Sequence, residues 1–205
     1  MEPKYKRILL KISGESLAGD KRHGFSSSAL AATAKQIATL NKAGVEIGVV
    51  VGGGNFWRGR EGDEMDRTSA DYMGMLATVI NALALSDALD RQGVDNRVMT
   101  ALAIDKIGEP YNVKTAKRYL SDGKVVVFGG GTGSPFFTTD TGASLKACEI
   151  QAEVLLLAKN IDGIYYSDPK TNPNAKKYDT LTYDEYVEKG LRALDTSAVV
   201  MCKEN

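Results

Sequence analysis

Three glycine-rich segments follow short apolar runs in this chain, and a basic residue stands beside two of them. ILLKI leads into residues 13–14, VVV into residues 52–54, and VVVF into residues 129–133. Glycine in such places lets backbone N–H groups approach an anion, because no Cβ stands in the way. Lys11 precedes the first segment and Arg58 follows the second. Together the three segments predict a site that binds phosphate groups.

Each candidate residue also has a purely structural interpretation. Lys11 is either a strand-end lysine whose ammonium group reaches water or a point charge on transferring phosphates. Arg58 is either an ordinary surface arginine or a planar fork that binds phosphate with two hydrogen bonds. Asp71 stands near the start of a predicted helix, where an acid either favours the helix dipole or binds a ligand. Trp57 and the Phe136-Phe137 pair belong either to the core or to the walls of a site.

The set of reactive side chains favours phosphoryl transfer over acid–base or covalent catalysis. His23 is the only histidine and lies in the polar loop AGDKRHG, so we expect no catalytic base and no nucleophilic triad. Transfer to a phosphate needs neither, because the second pKa of a phosphomonoester is about 6 and its oxygen is largely ionised at neutral pH. Lysine, backbone amides and Mg²⁺ can supply the alignment and charge neutralisation. No G-x-x-x-x-G-K-[ST] motif occurs, and no G-x-G-x-x-G motif follows the first predicted strand, which argues against two common nucleotide-binding folds.

The composition is that of a soluble globular enzyme. The chain has 205 residues, of which 43% are hydrophobic and 25% are charged, and this length fits one domain. Lys plus Arg and Asp plus Glu both number 26, and the zero net charge argues against a nucleic-acid partner or an anionic membrane surface. Cys148 and Cys202 match no metal or redox spacing, so we expect reduced, buried thiols and no metal site built from protein ligands. We expect neither a secretory leader nor an apolar run of membrane-spanning length, and therefore a cytoplasmic location.

The candidate site residues must be positioned by a sheet, because the glycine segments begin where the predicted strands end. β-branched runs alternate with amphipathic stretches, which is typical of an α/β fold with a mostly parallel sheet. In open parallel sheets, ligands bind at the carboxyl ends of the strands, next to helix N-termini. The predicted strands cover residues 5–12, 45–51, 96–100, 124–128 and 153–159.

Helical periodicity and capping patterns recur between these strands. A helix that begins after Ser26 or Ser27 would bury one apolar face, formed by Leu30, Ala34, Ile37 and Leu40. A longer helix over residues 68–90 has its own apolar face, formed by Tyr72, Leu76, Val79, Ile80 and Leu83. Residues 182–185 fit a capping box for a short late helix, and residues 195–205 are predicted to be helical. The prolines and asparagines of residues 167–177 predict a loop.

Five motifs are spread along the chain in the order in which a known family has them, and the resemblance covers residues from about 5 to 196. They are KISGE (11–15), GGGNFWRG (52–59), ADYMGMLATVINALAL (70–85), GTGSPFFTTDT (131–141) and DGIYYSDP (162–169). With these motifs the chain resembles the bacterial uridylate (UMP) kinases of the amino-acid kinase superfamily. The fourth motif is the most specific, because related kinases for glutamate, aspartate or carbamate share the glycine loops but lack it.

The resemblance implies a three-layer α/β/α sandwich with a mostly parallel central sheet, here expected to lack the final C-terminal strand and hairpin. It implies one domain over residues 1–205, with a UMP-binding lobe over about 1–150 and a shortened ATP-binding lobe over about 151–205. The implied reaction is reversible transfer of the ATP γ-phosphoryl group to UMP, giving UDP and ADP in pyrimidine nucleotide biosynthesis. ATP would be the donor, with Mg²⁺ carried on the nucleotide.

The resemblance also assigns site residues by position, with Lys11 and Arg58 in catalytic roles. The residues that would meet ATP are Lys11, Ile12, Ser13, Gly14, Gly54, Arg58, Lys159, Asn160, Tyr165 and Asp168. The residues that would hold UMP are Gly53, Asp71, Thr132, Gly133, Ser134, Pro135, Phe136, Phe137, Thr138 and Thr139. Asp71 would accept hydrogen bonds from the ribose hydroxyls. The segment AKNIDG is one residue shorter than in many relatives, so the polar residue beside the adenosine is either Lys159 or Asn160.

Assembly and regulation are implied as well. The resemblance implies a homohexamer, inhibition by UTP, and activation by GTP through a loop that here comprises Gly19, Asp20, Lys21, Arg22, His23 and Gly24. Arg22-His23 stands in this loop where relatives carry a glycine-and-phenylalanine pattern. Two alternatives stay open at this point. One is another phosphotransferase of the superfamily, acting on carbamate or an amino acid, and the other is a non-catalytic nucleotide-binding regulator.

Overall fold

The computed structural model describes residues 3–21, 23–57, 65–159, 161–167, 169, 171–172 and 174–205. Within these ranges the strands form one six-stranded sheet in the order β4-β3-β5-β2-β1-β6, and every neighbouring pair is parallel. The strands are β1 (Arg7–Ile12), β2 (Glu46–Val51), β3 (Asn96–Thr100), β4 (Glu109–Pro110), β5 (Val125–Gly129) and β6 (Val154–Ala158). The five predicted strands are confirmed. The two-residue β4 is too short to leave a pattern in the sequence.

Helices connect the strands in the predicted α/β manner. They are α1 (Gly14–Ala18), α2 (Ser27–Lys42), α3 (Arg67–Asp90), α4 (Val113–Ser121), α5 (Thr139–Ile150), α6 (Tyr183–Glu188) and α7 (Thr196–Glu204). The N-cap of α2 is Ser26, whose hydroxyl accepts a hydrogen bond from the Ala29 N–H. The capping box of α6 is formed by Thr182 and Glu185. Both caps and the final helix are confirmed predictions.

Apolar side chains pack on both faces of the sheet, which confirms the three-layer arrangement. One cluster joins β1, β2 and β5 to α2 and α3 and includes Ile12 and Leu85. The other joins the same strands to α4 and α5 and includes Leu9 and Ile150. Successive side chains of a strand point to opposite faces. Lys11 therefore shares the face of Leu9 and lies on the side of α5.

Helix α3 packs on the sheet with a different face from the one that its periodicity predicts. Its buried residues are Ala70, Met75, Ala77, Thr78, Val79, Asn81, Ala82, Leu85, Ala88 and Leu89. Of the predicted core face only Val79 is buried, whereas Tyr72, Leu76, Ile80 and Leu83 are exposed. The prediction was wrong because α3 is apolar on nearly all sides, so its pattern does not distinguish the side that faces the sheet. Leu40, predicted for the core face of α2, is exposed as well.

Among the described helices, α3 is long and apolar enough to cross a membrane by length and composition alone. This corrects the expectation that no apolar run reaches that length. Half of the apolar stretch is buried inside the molecule, and the helix packs on the sheet in the first core cluster. The place of α3 in the core therefore explains the apolar character of its buried half.

Helices α4 and α5 were not predicted, and α5 follows the third glycine segment directly. Thr138 is the N-cap of α5 and accepts hydrogen bonds from the N–H groups of Asp140 and Thr141. The buried side of α5 is built largely of small residues, such as Gly142, Ala143 and Ser144, and such a side gives little apolar periodicity. Cys148 of α5 and Cys202 of α7 are free thiols, as expected, but they are half-buried rather than buried.

Candidate active site

The three glycine segments lie side by side at the carboxyl edge of the sheet, because β1, β2 and β5 are neighbours. Their backbones approach closely: a Cβ on Gly14 would lie 2.6 Å from the Gly52 carbonyl oxygen and 2.4 Å from Asn55 Oδ1. A Cβ on Gly53 would lie 2.8 Å from the Gly74 carbonyl oxygen of α3. Both positions therefore exclude a side chain, and glycine is required by contacts within the site itself.

A pair of buried amides fixes the second glycine segment. Asn81 of α3 donates from Nδ2 to the Gly52 carbonyl oxygen at 2.6 Å and to Asn55 Oδ1 at 2.7 Å. Asn55 donates from Nδ2 to the Gly24 carbonyl oxygen at 2.9 Å, and the backbone carbonyl oxygen of Asn55 accepts a hydrogen bond from the Gly24 N–H at 3.1 Å. Both side chains are buried, where an unpaired amide would be costly. The pair therefore ties the 19–24 loop to the glycine segment of β2.

A cavity of about 220 Å³, the α3 cavity, opens between the second and third glycine segments and the first turns of α3. Seven of the residues predicted for UMP line it, namely Gly53, Asp71, Thr132, Ser134, Phe137, Thr138 and Thr139. Gly133, Pro135 and Phe136 belong to the same loop but do not line the cavity. The lining also includes Trp57, whose indole N–H donates to the Ala70 carbonyl oxygen at 2.9 Å, and Arg67. Trp57 is therefore a wall residue rather than part of the core.

Within the described ranges, Asp71 is held in this cavity by two partners, Arg67 and Phe136. Its carboxylate oxygens accept from Arg67 Nε at 3.0 and 2.9 Å, and Oδ2 also accepts from the Phe136 N–H at 2.7 Å. Phe136 has a φ of +70°, which is rare for a bulky side chain and occurs mainly at functional sites. The Arg67 guanidinium lies 5.5 Å from the centre of the Phe136 ring. Asp71 therefore joins the loop of residues 131–138 to the start of α3. This is a role in addition to any favourable interaction of its charge with the helix dipole.

Two lysines flank one carboxylate in the first turn of α5. Lys11 Nζ lies 2.8 Å from Asp140 Oδ1, and Lys159 Nζ lies 3.8 Å from Asp140 Oδ2. The Oδ1 atom is buried and accepts no hydrogen bond of normal geometry from the part of the chain that the structure describes, so its attraction to Lys11 is ionic. Two ammonium groups and a helix N-terminus thus converge around one carboxylate. This Lys11–Asp140–Lys159 cluster has the positive character that a transferring phosphoryl group requires.

Two adjoining cavities, the β6 cavities, lie beyond the end of β6 and have volumes of about 500 and 410 Å³. Ile161, Gly163 and Ala193 line both of them. Tyr165 lines the larger cavity, and Lys159 lines the smaller one. The Tyr165 hydroxyl donates to Asp162 Oδ1 at 2.6 Å, and this hydrogen bond raises the pKa of Tyr165. Tyr165 and Lys159 are both residues that the resemblance assigns to the surroundings of the ATP adenosine, and this assignment stays a prediction.

Of the remaining residues predicted for ATP, Ile12, Ser13 and Gly14 lie at the end of β1, whereas Gly54 follows β2 and lines the α3 cavity rather than the β6 cavities. Ile12 is buried in the first core cluster. Ser13 caps α1 by accepting a hydrogen bond from the Ser16 N–H. Arg22, Arg58, Asn160 and Asp168 lie outside the described residues, so their assigned roles stay predictions, as does the choice between Lys159 and Asn160. In the 19–24 loop, His23 packs edge-on against Phe56.

Asp140 was not among the predicted site residues, although it belongs to the motif GTGSPFFTTDT. The assignment by resemblance stopped one residue before it, at Thr139. The sequence feature that could have indicated Asp140 is an acidic residue that follows the third glycine segment. Its position opposite Lys11 depends on α5, however, and no periodicity predicts that helix. Arg67 carries a plainer signal, because it stands four residues before Asp71 on the same helix.

A three-layer α/β/α fold with glycine segments at the ends of parallel strands and a lysine–carboxylate cluster has the features that a phosphotransferase needs. Residues 6–205 match the model of the amino acid kinase family, and the chain belongs to that family. It is similar to the crystal structure of a UMP kinase from Bacillus anthracis, at 37% identity and a TM-score of 0.95, covering 98% of this chain and 84% of that one. A UMP kinase from Ureaplasma parvum is also 37% identical, with a TM-score of 0.93 and coverage of 99% and 87%. A uridylate kinase from Archaeoglobus fulgidus is 30% identical, with a TM-score of 0.73 and coverage of 96% and 86%.

Proposed function

We propose that this chain is a UMP kinase that transfers the γ-phosphoryl group of ATP to UMP, in pyrimidine nucleotide biosynthesis. The observation that carries the proposal is the position of the Lys11–Asp140–Lys159 cluster between two sets of cavities. Thr138 and Thr139, which line the α3 cavity, immediately precede Asp140, and Lys159 lines the smaller β6 cavity. An acceptor in the α3 cavity and a donor in the β6 cavities would meet at the cluster. Two relatives that are 37% identical over nearly the whole chain are UMP kinases, which supports UMP as the acceptor.

The reaction requires alignment and charge neutralisation but no catalytic base. An oxygen of the UMP phosphate forms a bond to the γ-phosphorus of ATP, while the bond from that phosphorus to the β–γ bridging oxygen breaks. The electron pair of the broken bond leaves with ADP. UMP enters largely as the dianion, because its second phosphate pKa is about 6. The ammonium groups of Lys11 and Lys159 and the N–H groups at the start of α5 balance the charge of the transferring group.

Mg²⁺ is proposed to arrive with ATP rather than to occupy a site built by the protein. Mg²⁺ usually keeps several waters and binds one or two carboxylates together with substrate phosphates. Among the described residues, no group of three or more His, Cys, Asp and Glu side chains could hold a metal ion. Asp140 already pairs with Lys11. When bound, the ion would neutralise charge on the β and γ phosphates.

A coupled assay of ADP release with different acceptors tests the function. We expect ATP and Mg²⁺ to give ADP rapidly with UMP, and more slowly or not at all with CMP, dUMP, glutamate or carbamate. Turnover with glutamate or carbamate but not UMP would identify a different phosphotransferase of the family. Binding of ATP and UMP in a thermal-shift experiment without any turnover would identify a nucleotide-binding regulator instead.

The proposal includes the two substrate-binding lobes and the regulation that the resemblance implies. Residues of about 1–150 would form the UMP-binding lobe, and residues of about 151–205 the ATP-binding lobe, of a cytoplasmic enzyme. GTP would activate through the 19–24 loop, and UTP would inhibit. The hydrogen bonds between Asn55 and Gly24 support the first of these effects, because they connect that loop to the glycine segment of β2.

We further propose that the exposed face of α3 joins copies of this chain within the implied homohexamer. Tyr72, Met73, Leu76, Ile80 and Leu83 on this helix are each 38–48% exposed. The helix carries no charged residue between Asp71 and Asp87. An apolar surface of this kind is typical of a protein–protein contact, and a face without charge can pack against a second copy of itself.

Leu76→Glu is expected to shift the protein toward the monomer, because the glutamate would be desolvated against the partner helix. Light scattering coupled to size-exclusion chromatography measures this change. Leu40→Glu provides the control, since Leu40 is an apolar residue of similar exposure, 41%, on a different helix, α2, and should leave the mass unchanged. A Leu76→Glu protein with the mass of the wild-type assembly would contradict the proposed contact.

A further inference from the structure

The geometry points to Tyr186 as a positioning residue whose hydroxyl group fixes a wall of the β6 cavities and so supports binding of the donor nucleotide. This inference rests on the proposed function. Tyr186 lies on α6 and is only 4% exposed. Its hydroxyl donates to the Leu194 carbonyl oxygen at 2.9 Å and accepts from the Leu194 N–H at 2.5 Å. One side chain thus satisfies both backbone groups of a residue in the next loop.

The loop that Tyr186 holds, residues 191–195, forms one wall of both cavities. Leu191 and Arg192 line the larger cavity, Leu194 lines the smaller one, and Ala193 lines both. The loop connects α6 to α7 and has no helical or strand structure of its own. Its backbone therefore lacks the regular hydrogen bonds of a helix or a sheet. The Tyr186 hydroxyl instead fixes Leu194 by two hydrogen bonds, one to its carbonyl oxygen and one from its N–H.

The same loop contacts the proposed transfer site on both sides of Leu194. The Ala193 carbonyl oxygen accepts a hydrogen bond from Lys159 Nζ, and the Asp195 carboxylate accepts one from the Thr138 hydroxyl. Lys159 belongs to the lysine cluster, and Thr138 lines the α3 cavity. A displacement of Leu194 would therefore move the partners of both groups.

Helix α6 is suited to act as the fixed support for this contact. The Thr182 N–H donates to Glu185 Oε2 at 2.8 Å, and the Glu185 N–H donates to Thr182 Oγ1 at 3.1 Å. This capping box holds the first turn of the helix. Burial raises the pKa of Tyr186, and the nearby negative charge of Asp140 acts in the same direction. The hydroxyl therefore stays protonated and keeps its donor hydrogen throughout the neutral pH range.

Tyr186→Phe removes only the hydroxyl, and Tyr183→Phe is its matched control on the same helix, where Tyr183 is 49% exposed. With UMP saturating, we expect Tyr186→Phe to raise the Michaelis constant (KM) for ATP about five- to twentyfold, the size expected for the loss of two hydrogen bonds. The KM for UMP should rise less than the KM for ATP, because residues 191–194 line the β6 cavities directly, whereas the loop contacts the α3 cavity through the hydrogen bond from Thr138 to Asp195. Tyr183→Phe should change neither constant.

An ATP KM within about twofold of wild type, or an equal rise of both constants, would overturn the role of Tyr186. Calorimetric titration with Mg·ADP is included for all three proteins, because it does not depend on turnover. A wild type that gives no UMP-dependent ADP release would refute the proposed function, while the titrations would still judge Tyr186. Hydrogen exchange of the wild-type Leu194 amide requires no variant: slow exchange is expected, and exchange as fast as that of exposed loop amides would contradict the contact.

Discussion

Replacing Lys11 with methionine is expected to lower kcat about 10²–10³-fold, the usual effect of removing one group that stabilises charge in the transition state. The KM for UMP should change much less, because the ammonium group lies at the cluster with Asp140 and not in the lining of the α3 cavity. Methionine keeps a flexible side chain of similar length on the strand and removes the charge. Steady-state kinetics with UMP and ATP each varied will separate the two constants.

Lys6→Met is the matched control for the charge, since Lys6 directly precedes β1 and its side chain is 77% exposed. It should retain wild-type kcat. If Lys11→Met keeps more than about half of wild-type kcat, then Lys11 is only a strand-end lysine that reaches toward Asp140. Asp140→Asn is informative in either case: it keeps the shape of the side chain but removes the charge that holds Lys11 and Lys159 together.

The parts of the fold that were predictable are those that depend on neighbouring residues in the sequence. The β-branched runs predicted the five longer strands, because a buried parallel strand needs a continuous apolar stretch. The glycine segments marked the carboxyl ends of β1, β2 and β5, because the close approach of Gly14 to the Gly52 carbonyl allows no side chain. The caps of α2 and α6 were predictable for the same reason, since Ser26 and Thr182 act within three residues of their own positions.

The features that could not be predicted depend on contacts between distant parts of the chain. Asp140 becomes a site residue only because α5 brings it to the face of β1 on which Lys11 lies, 129 positions earlier in the sequence. The side of α3 that faces the sheet combines small residues such as Ala82 with Leu85 and Leu89, while other large apolar residues of the helix are exposed, so the pattern of large apolar residues does not identify it. Tyr186 binds the backbone N–H and carbonyl oxygen of Leu194. Every residue type except proline has both groups, so the residue at position 194 does not reveal this contact.

Asp71→Ala is expected to raise the KM for UMP about ten- to a hundredfold and to leave the KM for ATP nearly unchanged. A hydrogen bond to a charged group contributes about 1.5–3 kcal/mol, which corresponds to a change of this size. The carboxylate retains acceptor capacity for a ribose hydroxyl, because each oxygen can accept two hydrogen bonds and, among the described residues, Oδ1 accepts one from Arg67 at 3.0 Å. The substitution also releases the Phe136 N–H, so the loop over the α3 cavity should loosen and add to the effect.

Discrimination between UMP and dUMP decides whether Asp71 acts on the ribose or only on the helix. The wild type should prefer UMP, and Asp71→Ala should lose much of that preference, because the 2′-hydroxyl no longer finds its acceptor. Asp66→Ala is the matched control: Asp66 caps the same helix by accepting from the Ser69 N–H at 3.0 Å, so its loss should lower the melting temperature without changing the ratio of kcat/KM values. If Asp71→Ala behaves like Asp66→Ala and keeps the wild-type ratio for the two nucleotides, Asp71 supports the helix and its loop but does not contact the acceptor sugar.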